Sequence, residues 1–209
     1  MQSMPFFGII AISATFVVTL GEIDLSFPSI VGITSLIFGM VMTSTDGNVF
    51  IAFILATSLG MFAGLVNGLL VTKIGIPSIV ATIGTLFFWR GLVNVISQGS
   101  GIAIVDVADG TWHHMIFVEK LFGKIPMQFI WFIVLTGLMQ WVYRYHKFGN
   151  HIHFVGDNKA SAQMMGINVD NVKIIAFVQL GFFSALAGIF TMYELLYFWP
   201  TQGEGLMLT

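Results

Sequence analysis

The chain has 209 residues, of which 56% are hydrophobic and 9% charged, with a formal net charge of −2. Soluble domains average about 25% charged residues, so this composition cannot cover a water-facing surface, and the solvent it fits is a lipid bilayer. With no cysteine, disulfides, thiolate chemistry and Cys-based metal sites are excluded and the redox compartment is not readable.

The N-terminus does not read as a signal peptide, which needs a basic leading region; the first Lys or Arg is Lys73. The opening straight into an apolar run is what a chain lacking its first segments would show. Uncharged runs fall at Met1–Gly21, Leu25–Thr45, Gly47–Thr72, Ile74–Trp89, Gly91–Val105, Ile125–Tyr143 and Ile174–Tyr193. A bilayer core takes about 20 apolar residues per helix. Arg90 then interrupts a single helix from about Ser78 to Ile96. The expectation is an all-α polytopic membrane bundle of about six spanning helices, in which frequent glycine is tolerated.

Between the first two segments lies GEIDLSFPS, residues 21–29, with Glu22 and Asp24 set between uncharged stretches. Two readings stay open: a tight turn at the membrane surface, or a discontinuous helix dipping partway in, where irregular backbone must be buried by protein or line a cavity. Ser26 fits a helix cap and Pro28 the first helical turn. An intramembrane carboxylate costs roughly 2.5–3.5 kcal/mol. Asp24, with Ser26, Ser29 and Glu22, therefore either offers acceptors near a translocation path and braces a broken helix, or caps a wetted helix end. The second reading suits Glu22 better.

The third segment carries Gly60, Gly64 and Gly68 at i, i+4 spacing after Ala56, and the last carries Gly181, Ser184, Ala185 and Gly188. Such stripes let membrane helices approach closely. Asn67 and Thr72 beside the first stripe either face the path or bond internally. Arg90 must snorkel or pair.

The loop 98–124 holds Lys120 and Lys124 with Asp106, Asp109 and Glu119, whereas 144–173 holds Arg144, Lys147, Lys159 and Lys173. The excess of basic residues places 144–173 in the cytoplasm and 98–124 outside. Within it, GDNKASAQMMGINVDNVK reads as a capped helix of about two turns: Asp157 or Asn158 as cap, Lys159–Met165 as helix, Gly166 past its end, and Asn168 capping the next helix. A short helix held between two membrane helices is a projecting knob that could dock into a groove on a soluble partner. His146, His151 and His153 lack the spacing and the completing ligand of a zinc site. No phosphate-binding G-x-x-x-x-G-K-[ST] loop is present, and no nucleophile–base pair, so neither ATP binding nor covalent catalysis is expected on this chain.

GEIDLS, then GLVNGLLVTKIGIPSIVATIGTLFFWRGL (Gly64–Leu92), then GDNKASAQMMGINVDNVKI (Gly156–Ile174) resemble the ribose/simple-sugar permease family, the membrane subunits of bacterial ABC importers. The likeness runs in order through nearly the whole chain. It implies a transmembrane permease domain over 1–209, partial because the family has about ten spanning helices, so the first and the last few would be missing. It also implies a path for a sugar or similar small polar solute, with Asp24, Ser26, Ser29 and Asn67 as candidate path residues. The cytoplasmic loop 144–173 would dock an ATPase through Gly156, Asn158, Ser161, Ala162, Gly166, Ile167 and Asn168. The implied partners are an ABC ATPase subunit carrying ATP and Mg, a periplasmic sugar-binding protein, a second permease copy and the lipid of the bacterial inner membrane, with no nucleic acid; this chain itself would hold no cofactor and no metal. The sequence departs from the family where Glu22 replaces a glycine, where Phe27-Pro28 replace Val-Gly, where Lys159 and Ala160 replace common acids, and at Met207. The competing readings are an ion-coupled secondary transporter using Asp24 and Glu22, which would need no docking knob, and a membrane-embedded enzyme, against which the lack of a catalytic constellation speaks.

Overall fold

The computed structural model describes residues 4–121 and 125–203, with side chains from Gly8 onward except at Leu121. Lys124 and Met207, and the rest of the closing stretch from residue 204, lie outside the described residues. Each of the six expected segments forms a helix: α1 (Met4–Thr19), α2 (Phe27–Ser44), α3 (Val49–Leu69, extended by a π turn over Leu70–Ile74), α4 (Ser78–Ser97), then α5 (Val105–Ala108) and α6 (Trp112–Phe117) in the outer loop, α7 (Met127–Tyr145), α8 (Lys147–Asp157), α9 (Lys159–Met164) and α10 (Val169–Leu195). Among the described residues, four helices are long and apolar enough by themselves to cross a bilayer: Phe27–Ser44, Val49–Ile74, Ser78–Ser97 and Val169–Leu195. The apolar part of α1, Gly8–Thr19, is shorter, and α7, with 19 residues, is long enough but less apolar. The span count of six is thus approximate, while the all-α bundle stands.

α10 is the axis of the bundle, packing against α1, α2 and α3. The glycine stripe of α3 makes this approach possible: a Cβ at Gly60 would lie 2.5 Å from the Gly181 carbonyl, one at Gly64 would collide with the Phe177 carbonyl, and one at Gly68 would lie 2.9 Å from the Ile174 Cα. Dispersion across backbones in contact replaces the hydrophobic drive that lipid does not supply. Two apolar clusters flank this axis. One joins α1, α8 and α10 through Phe16, Leu20, Ile152, Val155 and Phe177; the other joins α2, α3 and α10 through Ile33, Phe38, Ala56 and Tyr193.

Two features were not legible in the sequence. α8 follows α7 across a bend at His146; Gly149 lets the two helices meet closely, since a side chain there would strike the Val142 and Tyr143 carbonyls, and α8 buries Gly149, Ile152 and Val155 on one face. The loop 98–124 also carries short elements of its own, with Asp106 and Asp109 left exposed. Its strand Ile102–Ala103 (β1) pairs antiparallel with Tyr197–Phe198 (β4), and Lys120–Leu121 (β2) pairs with Ile125–Pro126 (β3). Thr111 caps α6, and His113 is buried where its Nδ1 lies 3.0 Å from both the Thr111 and the Tyr193 hydroxyls.

Candidate functional site

The carboxylates of GEIDLS sit on an unwound segment fixed at both ends. α1 stops at Gly21, whose φ of +74° suits glycine. The Gly21 N–H donates to the Val18 carbonyl (2.9 Å) and the Glu22 N–H to the Val17 carbonyl (3.2 Å), the paired closure of a Schellman end. From Glu22 to Ser26 the chain has no regular structure, so its N–H groups need outside acceptors. α4 supplies them: the Ile23 N–H donates to the Ser78 hydroxyl and the Leu25 N–H to the Thr82 hydroxyl, each at 3.1 Å.

Asp24 closes a buried network on this segment. Its Oδ1 accepts from the Ser26 N–H and the Ser26 hydroxyl, both at 2.7 Å. Its Oδ2 accepts from the Asn67 amide at 3.1 Å, and the same amide donates to the Ser26 Oγ at 2.7 Å. The Thr85 hydroxyl donates to the Asn67 Oδ1 at 2.7 Å. Every member is buried. The structure thus brings Asp24, Ser26 and Asn67 together, and adds Thr82 and Thr85, which the sequence did not single out. Ser26 does occupy the N-cap position of α2, with Pro28 in the first turn, but its side chain makes no cap bond, because Asp24 and Asn67 claim it. Ser29 stands apart: it is buried, and its Oγ has no partner among the described residues. Thr72 bonds to the Gly68 carbonyl of its own helix (2.7 Å).

Glu22 differs from its sequence reading as a wetted helix end. It is buried and ion-paired with Lys173 near the start of α10, and Lys159 of α9 reaches it at 3.7 Å. Burial pushes its carboxyl up, but hydrogen bonds from Lys173 and Ser78, with the charges of Lys173 and Lys159, outweigh burial and hold it below the ordinary glutamate value. The signal was unreadable in sequence because the partners lie 151 residues apart.

The loop 144–173 folds as α8, α9 and the start of α10. Asn158 caps α9 by accepting from the Ser161 N–H (3.0 Å), and Asn168 caps α10 by accepting from the Asn171 N–H (3.0 Å). Gly166 makes the turn between them with φ +81°. The residues assigned to docking divide in two. Ala162 and Ile167 point inward and are buried, and Gly156 has no side chain because α1 leaves no room: a Cβ there would meet the Thr19 carbonyl. Ala162 and Ile167 thus anchor the knob from within, while Gly156, exposed on its other side, seats it against α1. Outward face Ser161 and, unforeseen, Met164 and Met165, which are 84% and 61% exposed. Lys73 and Asp170 tie α3 to α10 at this same end (2.8 Å).

Near the opposite end of the bundle, Arg90 holds the segment after α10: its Nη1 donates to the Pro200 and Gln202 carbonyls at 2.9 and 3.0 Å. The Gln202 amide donates to the Ser35 hydroxyl at 3.2 Å. Among the described residues no group of three His, Asp or Glu side chains is placed to hold a metal; His146 caps α8, and His153 packs edge-on against Tyr143.

The family described as "Branched-chain amino acid transport system / permease component" matches residues 1–209. Among curated proteins, the chain is similar to the "Autoinducer 2 import system permease protein LsrC" of Photorhabdus luminescens, 32% identical over 203 residues that cover 95% of this chain and 58% of the relative. It is also similar to the proteins of that name from Yersinia pseudotuberculosis serotype O:3 (strain YPIII) and Yersinia pestis (strain Pestoides F), each 33% identical over 198 residues covering 95% of this chain and 55% of the relative. The chain therefore spans little more than half the length of these relatives. No solved structure matches it.

Proposed function

The chain belongs to the family of branched-chain amino acid transport system permease components, and on that premise we propose that it is the membrane-spanning part of an ATP-binding-cassette importer, forming the path for a sugar or similar small polar solute. A periplasmic binding protein delivers the solute, a second permease copy completes the path, and a separate ATPase subunit binds ATP and Mg and drives the cycle. The bundle is multi-pass and sits in the bacterial inner membrane, with α8 and α9 in the cytoplasm. Closure of the ATPase dimer displaces α9, and the bundle switches between inward- and outward-open arrangements as packed bodies.

One observation carries this reading: a capped six-residue helix anchored by Ala162 presents Met164 and Met165 to solvent. Methionine pairs exposed on a rigid knob suit a groove on a soluble partner. The ion-coupled alternative needs a carboxylate free to bind and release its ion. Both Asp24 oxygens accept donors from within the bundle, and Glu22 is neutralised by lysines, which supports the ATP-driven reading.

The test is uptake by the full-length permease assembled with its ATPase and binding protein in proteoliposomes. Uptake should require internal ATP, survive collapse of ion gradients, and fall at least tenfold in Met164→Glu while the assembled membrane protein stays folded. Uptake that persists without ATP and stops with the gradient would refute it.

A further inference from the structure

The contact joining the α9 knob to the extended segment is ionic, and its two lysines are not equivalent. Glu22 and Lys173 have side chains 11% exposed each, so that pair is sealed within the bundle. Lys159, the first residue of α9, approaches the same Oε1 from a side chain 55% exposed, at 3.7 Å. At that distance and exposure a small shift of α9 makes or breaks the Lys159 contact, while Lys173 keeps the carboxylate neutralised in either case.

A second contact lies alongside. The Gly156 backbone packs against the Thr19 carbonyl at the end of α1 with no space for a Cβ. The unit formed by α8 and α9 therefore meets the junction of α1 and the extended segment at two points: a backbone contact at Gly156–Thr19 and an ionic arm at Lys159–Glu22. Rocking about the first point moves the second. Glu22 is joined to Asp24 by two residues of extended chain, about 7 Å of backbone with little slack, and that chain is pinned to α4 at Ile23 and Leu25.

We propose that Lys159 and Glu22 form a strut that transmits movement of α9 to the extended segment, and through it to the Asp24 network at the start of α2. Both are positioning residues, and Lys173 is the fixed anchor against which the strut works. The inference rests on reading α9 as the ATPase-docking knob.

These 209 residues contain no cysteine, so once any cysteine elsewhere in the full-length permease is replaced, single cysteines at Ile23, 44% exposed, and at Met164 can each carry a nitroxide label. The full-length permease is assembled with its ATPase in lipid nanodiscs, and the spectra are compared without nucleotide and with ATP trapped by vanadate. Both labels should respond to nucleotide in the parent protein. In Lys159→Met the response at 164 should persist and that at 23 should be lost, and Lys159→Arg should restore the response at 23. A response at 23 that is unchanged in Lys159→Met, or absent from the parent while 164 responds, overturns the strut and leaves the docking reading intact. Silence at 164 overturns the docking reading and the strut with it.

Discussion

The Asn67 amide donates to the Asp24 carboxylate at 3.1 Å across 43 residues of chain. Asn67 also accepts from Thr85 and donates to Ser26, so one side chain of α3 satisfies partners on the extended segment and on α4. Asn67→Leu leaves a buried carboxylate and a buried hydroxyl short of partners, and such losses cost about 1–3 kcal/mol, more for a charged group. We expect about 3 kcal/mol of destabilisation in thermal unfolding of the detergent-solubilised protein. A loss under about 0.5 kcal/mol would mean that Asp24 is held by other means.

The glycines of the bundle should separate into two kinds. Gly64→Val forces α3 away from the Phe177 carbonyl and should cost about 1–3 kcal/mol, as overpacking of tight interiors does. Gly84 has nothing within 4 Å of an added Cβ, so Gly84→Ala should be neutral or stabilising by up to about 1 kcal/mol, since glycine is the poorer helix former. Unfolding of the two variants side by side checks the contrast; equal effects would contradict the α3–α10 packing.

Removing Lys173 should be severe. Lys173→Met leaves buried Glu22 with only the Ser78 hydrogen bond and the half-exposed Lys159 to compensate its charge, and breaking a buried pair from one side costs about 3–5 kcal/mol. The pH dependence follows from the lowered Glu22 value. The folded carboxyl titrates below its ordinary 4.5, so its contribution is complete above that pH and is lost as pH falls through the folded value. Acid unfolding below pH 4.5 should be shallower in the variant than in the parent; an unchanged acid limb would remove Glu22 from the account.

His113 predicts a second, separate window. Burial, with the nearby His114, pushes its imidazole below the ordinary 6.5. The unfolded chain then takes up a proton that the folded loop refuses, so stability is complete above about pH 6.5 and declines below it until the folded value is reached. The slope is at most about 1.4 kcal/mol per pH unit for one group. His113→Gln should flatten the stability profile below pH 6.5. An equally steep profile in the variant would place the titration elsewhere.

Much of this protein was already decided along the chain. Sparse charge, apolar runs near 20 residues, small-residue spacing in α3, and the Asn–Gly–Asn punctuation around α9 are local signals. They follow from solvent and backbone geometry that neighbouring residues impose on one another, and they located the helices, the glycine face and the knob. What only the tertiary structure decided is pairing between distant segments: that Glu22 meets Lys173, that Asn67 rather than a helix cap claims Ser26, that Ala162 turns inward while Met164 turns out, and that the outer loop folds over Tyr193. Desolvation sets these choices. Once lipid and packed helices exclude water, each buried polar group must take its partner from whatever the fold brings within 3 Å, and no local pattern names that partner in advance.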